Sequence, residues 1–277
     1  QDHYESVNRI IDVANNYNIP IHIVDPANSN SIGINPFIHN DPVKTAIAIS
    51  SVLKGMYSTS RVDVEEAFRE NVVTQAVENL CILLKEVYPQ LHNGDLPTLE
   101  DLLNLLNNFD LVQDMCNVLE QDEELKEKYS VQLSYFKKNF YKNAPGRADT
   151  EKFIYAATTQ LDDLLRYPGI KAVLCNRNYN IDFDKALENG EVTLVCTRRG
   201  DLGATAHKAF GLFFLLLMQY SVLTRPGSEK TRIPHFLYID EFPEFLCKAT
   251  TPIFTLYRKY KVGTIISAQG LYRFDGF

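Results

Sequence analysis

Two adjacent carboxylates, Asp240 and Glu241, follow a run of apolar residues, Phe236, Leu237, Tyr238 and Ile239. That order predicts a strand delivering an acid doublet at its C-terminal end, the place where open α/β sheets bind ligands. A helix-sized segment carrying Arg258 comes next, then a second apolar strand, Val262 to Ser267, that stops at Gln269. Two acids, a cation and a carboxamide on neighbouring strand ends suit a nucleoside triphosphate and its magnesium ion. In such a site Asp240 holds the metal directly or through water, and Glu241 polarises the attacking water. Two carboxylates beside an apolar strand cost desolvation energy unless a cation or hydrogen bonds compensate them, which separates this reading from a strand ending in solvated acids. Arg258, within the basic cluster Tyr257 to Lys261, reads either as a solvated cation at a helix end or as an arginine finger for a nucleotide bound by a neighbouring subunit. Gln269 reads as a γ-phosphate sensor or as a plain strand-end glutamine.

Other residues carry weaker chemistry. Arg198, Arg199 and Lys208 flank Gly200 and Gly203 after a strand, and could face phosphates of a nucleotide or of DNA; solvated surface charge explains them equally. Asp25-Pro26 is sufficiently explained as a turn, and Asn35-Pro36-Phe37 as a structural turn with an aromatic anchor. The six histidines are dispersed, and no His/Cys/Asp grouping has zinc-site spacing. Five cysteines (81, 116, 175, 196 and 247) form no close pair, a pattern of buried free thiols in a reducing compartment. The net charge of −7 argues against a whole-surface nucleic-acid binder while allowing a local basic lining.

The elements that must position these residues alternate in character along the chain. Val7, Ile10, Ile11 and Val13 have helical spacing, broken at Asn15 to Asn18, and Ile19 to Val24 reads as a short buried strand. From about Val43 to Tyr167 helical periodicity takes over. Asp63 to Tyr88 carries an amphipathic stripe that includes Val72, Ala76, Val77, Leu80, Leu83 and Leu84. Thr98 precedes Leu99-Glu100-Asp101 as an N-cap with an acid three residues on. Glu120 to Lys128 is a charged, solvated stretch, and Tyr129 to Phe140 and Phe153 to Leu165 are further helices parted by Pro145-Gly146. Strand pattern returns after Gly169, with Val192 to Cys196 as a strand. Ala209 to Leu223 is too short an apolar run to span a bilayer, which takes about 20 residues, and is expected to be a buried helix. The reading is one α/β domain with a mostly parallel sheet, formed by residues 1–42 and 169–277, interrupted by an all-α insertion at 43–168.

These motifs carry a resemblance. The order IVDP, INPF, a helical insertion, NIDFDKALENGEVTLVCTRRGDLGATAHKAFG, RIPHFLYIDEFPEF and GTIISAQ resembles the type IV coupling proteins of conjugation and secretion, the VirD4/TraG/TraD family. The resemblance runs over nearly the whole chain and is weakest in the helical block. It implies a RecA-like P-loop NTPase core carrying an all-α domain, in a hexameric, ATP- and Mg2+-dependent motor at the cytoplasmic face of the bacterial membrane. It further implies partners: single-stranded DNA, relaxase and other relaxosome proteins, and the type IV secretion channel. Carried across, Asp240 and Glu241 are the Walker B pair, Arg258 the arginine finger and Gln269 the sensor.

One part of the family pattern is missing. No Gly-x-x-x-x-Gly-Lys-Ser/Thr occurs anywhere, and that loop supplies the backbone cradle and lysine for the phosphates. The expectation is an internal fragment of a longer motor, with the phosphate loop immediately upstream of Gln1, membrane helices further upstream and at least one more strand and helix downstream. VirB4-like secretion ATPases and HerA-like translocases share the acid doublet and glutamine layout. A non-enzymatic alternative makes the helical block a substrate adaptor, its acidic stretch Glu120 to Glu127 suiting protein better than DNA.

Overall fold

The structure, a computed structural model, describes residues 2–57 and 64–270, with side chains described over 7–56 and 69–270. The tail 271–277 lies outside the described residues. The chain divides into two compact units: Gln1–Ile34 together with Tyr179–Phe277, and Asn35–Asn178.

The first unit is the α/β one. Helix α1 (Asp2–Asn16) ends where Asn18 takes a left-handed conformation (φ 54°), a state that asparagine tolerates. Strand β1 (Ile21–Val24) follows. The chain leaves after Ile34 and returns at Tyr179, and these two crossings lie side by side. Gly33 N–H donates to Tyr179 O at 2.8 Å, and Ile181 N–H donates to Gly33 O at 3.0 Å. Adjacent exit and entry points are what let a large insertion leave its host unit intact.

The second unit is all-helical: α2 (Pro42–Tyr57), α3 (Val64–Leu91), α4 (Leu99–Asn107), α5 (Phe109–Glu120), α6 (Glu123–Lys128), α7 (Ser130–Asn139), α8 (Arg147–Leu165) and α9 (Pro168–Leu174). Its compact body therefore begins before residue 43 and ends after residue 168. The α3 stripe is its core, with Leu80, Leu83, Leu84 and Val87 at most 1% exposed, each such side chain stabilising by roughly 1.5–3 kcal/mol. Thr98 N–H donates to Asp101 Oδ2 at 2.7 Å, so the acid three residues on closes the start of α4. Asp101 also accepts from Arg177 at 2.9 Å, tying the end of the insertion to its middle. Phe37 is fully buried, and Asn35 bonds Phe37 N–H and Pro97 O at 3.0 Å each, so that turn is structural.

Back in the first unit come α10 (Phe183–Asn189), β2 (Val192–Val195), α11 (Arg199–Thr224), β3 (His235–Ile239), α12 (Pro252–Thr255) and β4 (Val262–Ile266). Among the described residues the strands make two separate parallel pairs, β1 with β2 and β3 with β4, rather than the one mostly parallel sheet expected. Parallel pairing with helical connections is the α/β class. Strand β3 buries one face: Leu237 and Ile239 are 8% exposed, whereas Phe236 and Tyr238, which point to the opposite face, are 59% and 72% exposed. Helix α11 is the unit's central packing element, with Phe210, Leu212 and Phe213 fully buried. It is long and apolar enough to cross a membrane, yet 83% of its apolar window is buried inside the protein. Gly203 breaks its first turn at φ 74°, ψ 172°, a backbone region open essentially to glycine.

Candidate functional site

The register of β3 against β4 sets the site. Ile239 pairs with Ile266, so Asp240 and Ser267 emerge side by side from the C-terminal ends of two parallel strands. Ser267 then ties the two ends together. Its hydroxyl donates to Asp240 Oδ1 and accepts from Glu241 N–H at 3.1 Å, while its carbonyl accepts from Phe242 N–H at 3.1 Å. Asp240 is exposed and Glu241 half-buried.

Glu241 takes a left-handed backbone conformation, φ 50°, ψ 44°, which costs about 1–2 kcal/mol for a residue with a Cβ. The turn persists because the residues after it are anchored. Phe242 is fully buried and Phe245 is 5% exposed within a 3-10 turn, Phe242–Phe245. The Phe245 ring lies over Gly211 of α11, where an added Cβ would come within 2.2 Å of it. Arg199 Nη1 contacts Glu244 Oε1 at 2.9 Å. The doublet is thus fixed from two sides, by Ser267 and by α11. Non-glycine strain of this kind gathers at sites where geometry is imposed for function.

Gln269 is exposed in a bend three residues past β4, at the same end as the doublet. Arg258 is not. It lies in the 3-10 turn Tyr257–Tyr260 that precedes β4, and Val262 pairs with His235 at the start of β3. One copy therefore holds its exposed arginine and its acids at opposite ends of a five-residue strand pair, a strand length of roughly 16 Å.

The basic candidates after β2 divide. Arg198 donates to Asp25 from Nε at 2.9 Å and from Nη2 at 2.5 Å. Asp25 is 5% exposed, and its hydrogen bond to Arg198 holds its carboxyl below the ordinary range against the opposing effect of burial. The turn seen in Asp25-Pro26 is present, with Ala27 N–H donating to Asp25 Oδ1 at 3.0 Å. The ion pair with a residue 173 positions away had no sequence signal. Arg199 is engaged by Glu244, and Lys208 is half-exposed on α11. Sequence reasoning also passed over Ser267 and Glu244; the polar Ser267 closing an apolar strand opposite the doublet was the available signal.

Among the described residues, no group of three or more His, Cys, Asp or Glu side chains could hold a metal ion. An exposed carboxylate beside a hydroxyl offers hard oxygen donors without a cage. That fits magnesium, which keeps much of its shell as water and substrate phosphate and takes one or two protein carboxylates.

No protein-family profile matches the chain, and no curated protein matches it in sequence. Solved structures do match. The chain is similar to the bacterial conjugative coupling protein TrwBdeltaN70 in its trigonal form with sulphate, at 17% identity and a TM-score of 0.57, over 92% of this chain and 53% of that one. It is similar at the same identity and TM-score to plasmid coupling protein TrwB in complex with ADP and Mg2+, over 92% and 54%. Against TrwB with the non-hydrolysable GTP analogue GDPNP the values are 16% and 0.55, over 92% and 54%. Over 92% of its length this chain has the fold of a bacterial conjugative coupling protein, of which it spans about half.

Proposed function

We propose that this chain is the part of an ATP-driven conjugative coupling protein that carries the acid doublet of a RecA-like motor. The observation that carries the reading is the pairing of β3 with β4, which brings Asp240, Glu241, Ser267 and Gln269 to one strand end. Asp240, held in place by the Ser267 hydroxyl, would hold Mg2+ directly or through water. When bound, that ion neutralises charge on the β- and γ-phosphates. Glu241 accepts a proton from the attacking water, Gln269 donates a hydrogen bond to the γ-phosphate, and Arg258 serves a site on the neighbouring protomer of a hexamer. The work done would be movement of single-stranded DNA with its relaxase into a type IV secretion channel at the cytoplasmic face of the membrane. Two facts support the reading: TrwB itself has been seen with ADP and Mg2+, and the present doublet is held by Ser267 and by α11.

The test is Glu241→Gln in the complete protein that contains this chain. Nucleotide binding should persist while turnover falls by about 10²–10⁴-fold, the usual worth of a positioned general base. Normal turnover in that variant removes Glu241 from the mechanism.

A second reading makes the helical unit a substrate adaptor. Its support is α6, which buries none of its residues and begins with Glu123 and Glu124 after an Asp122 cap. Titration of the chain with single-stranded DNA and with relaxase separates the two; binding of relaxase with no ATP-dependent motion favours the adaptor.

A further inference from the structure

The turn that carries Arg258 is short: Lys259 N–H donates to Leu256 O at 3.0 Å, and Lys261 N–H donates to Arg258 O at 3.1 Å and also to Tyr257 O. Tyr257, 1% exposed, plugs it into the interior. Two further arginines, from the end of α11 and from the loop after it, grip the same turn from outside its sequence. Arg225 donates from Nη1 to Tyr260 O at 3.1 Å and from Nη2 to Leu187 O at 2.5 Å. Arg232 donates to three carbonyls: Pro226 O at 2.9 Å, Lys259 O at 2.8 Å and Arg225 O at 2.7 Å. Its guanidinium also sits 5.0 Å from the Tyr260 ring centroid.

This arrangement costs more than an apolar plug would. Arg225 is 5% exposed, and both burial and the neighbouring Arg232 weaken its hold on its proton. Buried charge is poor evidence of stability for its own sake. What two planar, multi-donor forks do supply is a fixed main-chain path, because a guanidinium has a rigid geometry and five donors. Each fork holds one carbonyl of the Arg258 turn, Tyr260 O for Arg225 and Lys259 O for Arg232, and spends its other donors on Leu187, Pro226 and Arg225, so the two residues directly after Arg258 are tied to the end of α11 and the loop after it.

We propose that Arg225 and Arg232 are positioning residues for Arg258, clamping the main chain of its turn so that its exposed guanidinium is presented to a neighbouring copy. This rests on the proposed role of Arg258 and adds the device that aims it. A 1 Å misplacement of a reacting group can cost about 10²-fold in rate, so a loosened clamp should be visible in turnover.

The experiment compares Arg232→Ala, Arg258→Ala and the double variant in the complete protein, measuring kcat and KM for ATP at matched oligomeric state. Arg232 is chosen because it is only half-buried. Arg258→Ala should lower kcat by about 10³-fold or more. Arg232→Ala should lower kcat by about 10–10²-fold with KM held within about twofold, and the double variant should be no slower than Arg258→Ala alone. Should Arg232→Ala fail to fold, Arg232→Lys keeps the charge but loses the planar fork and should give an intermediate kcat. Multiplying losses in the double variant, a raised KM with unchanged kcat, or wild-type kcat in Arg232→Ala each overturn the clamp while leaving Arg258 in the mechanism. Wild-type kcat in Arg258→Ala overturns both.

Discussion

Asp25 and Arg198 show how one ion pair can be both buried and directional. The carboxylate is shut away from water and satisfied by a two-pronged guanidinium and by Ala27 N–H. Removing one partner of such a pair leaves an uncompensated buried charge, so Arg198→Ala should destabilise the protein by about 3 kcal/mol, read from the urea midpoint at pH 7. The pH dependence follows from the direction of the shift. Asp25 has a folded value below its ordinary 3.8, so its contribution is present above that ordinary value and is lost as pH falls through the lowered one. The gap between wild type and Arg198→Ala should therefore be constant from neutral pH down to about pH 5 and should close below about pH 4. A gap that persists unchanged at pH 3 would mean that Asp25 is not the group responsible. Ser267 works at the same scale: one hydroxyl satisfies both the acid and the amide of a strained turn.

At the scale of elements, α11 does the positioning. Its first residue, Arg199, holds Glu244, its middle holds Phe245 at Gly211, and its last residue, Thr224, leads into Arg225. The acid doublet is thus referenced to the first half of the helix and the Arg258 turn to its C-terminal end. Gly211→Ala tests this directly. A Cβ there would overlap the Phe245 ring, with three ring carbons between 2.2 and 2.9 Å, and overpacking a well-filled core costs about 1–3 kcal/mol. The expected outcome is a lower thermal midpoint, with loss of turnover in the complete protein as the 3-10 turn after Glu241 is pushed off α11. An unchanged midpoint would show that Phe245 is free to move and is no anchor.

For the molecule as a whole, strand order bears on how the proposed site would be assembled. The doublet and Arg258 stand at opposite ends of β3 and β4, so catalysis of the kind proposed requires neighbours in a ring. The sequence also contains no phosphate-loop motif, which supplies backbone N–H groups and a lysine to the phosphates. Purified chain 1–277 should accordingly show no detectable ATP turnover in a coupled assay, and turnover above background would contradict the site as drawn. Among the described residues each strand pair leaves its outer edges unpaired, and edges of that kind recruit further strands. Sedimentation at increasing concentration will show whether copies of this chain associate through them.

What the sequence determined by itself was local. Apolar runs marked β1 to β4 within two residues at either end, the 3.6-residue stripe marked α3, and Thr98 with Asp101 marked the start of α4, because periodicity and capping are written in neighbouring residues. The acid doublet and Gln269 were visible for the same reason: each closes an apolar run. The long-range choices were left to the tertiary structure. Whether four strands form one sheet or two pairs, which partner Asp25 takes 173 positions away, and on which side of the sheet Arg258 falls all depend on how distant segments meet. A sequence pattern of period two or 3.6 carries no information about that meeting; packing and register do.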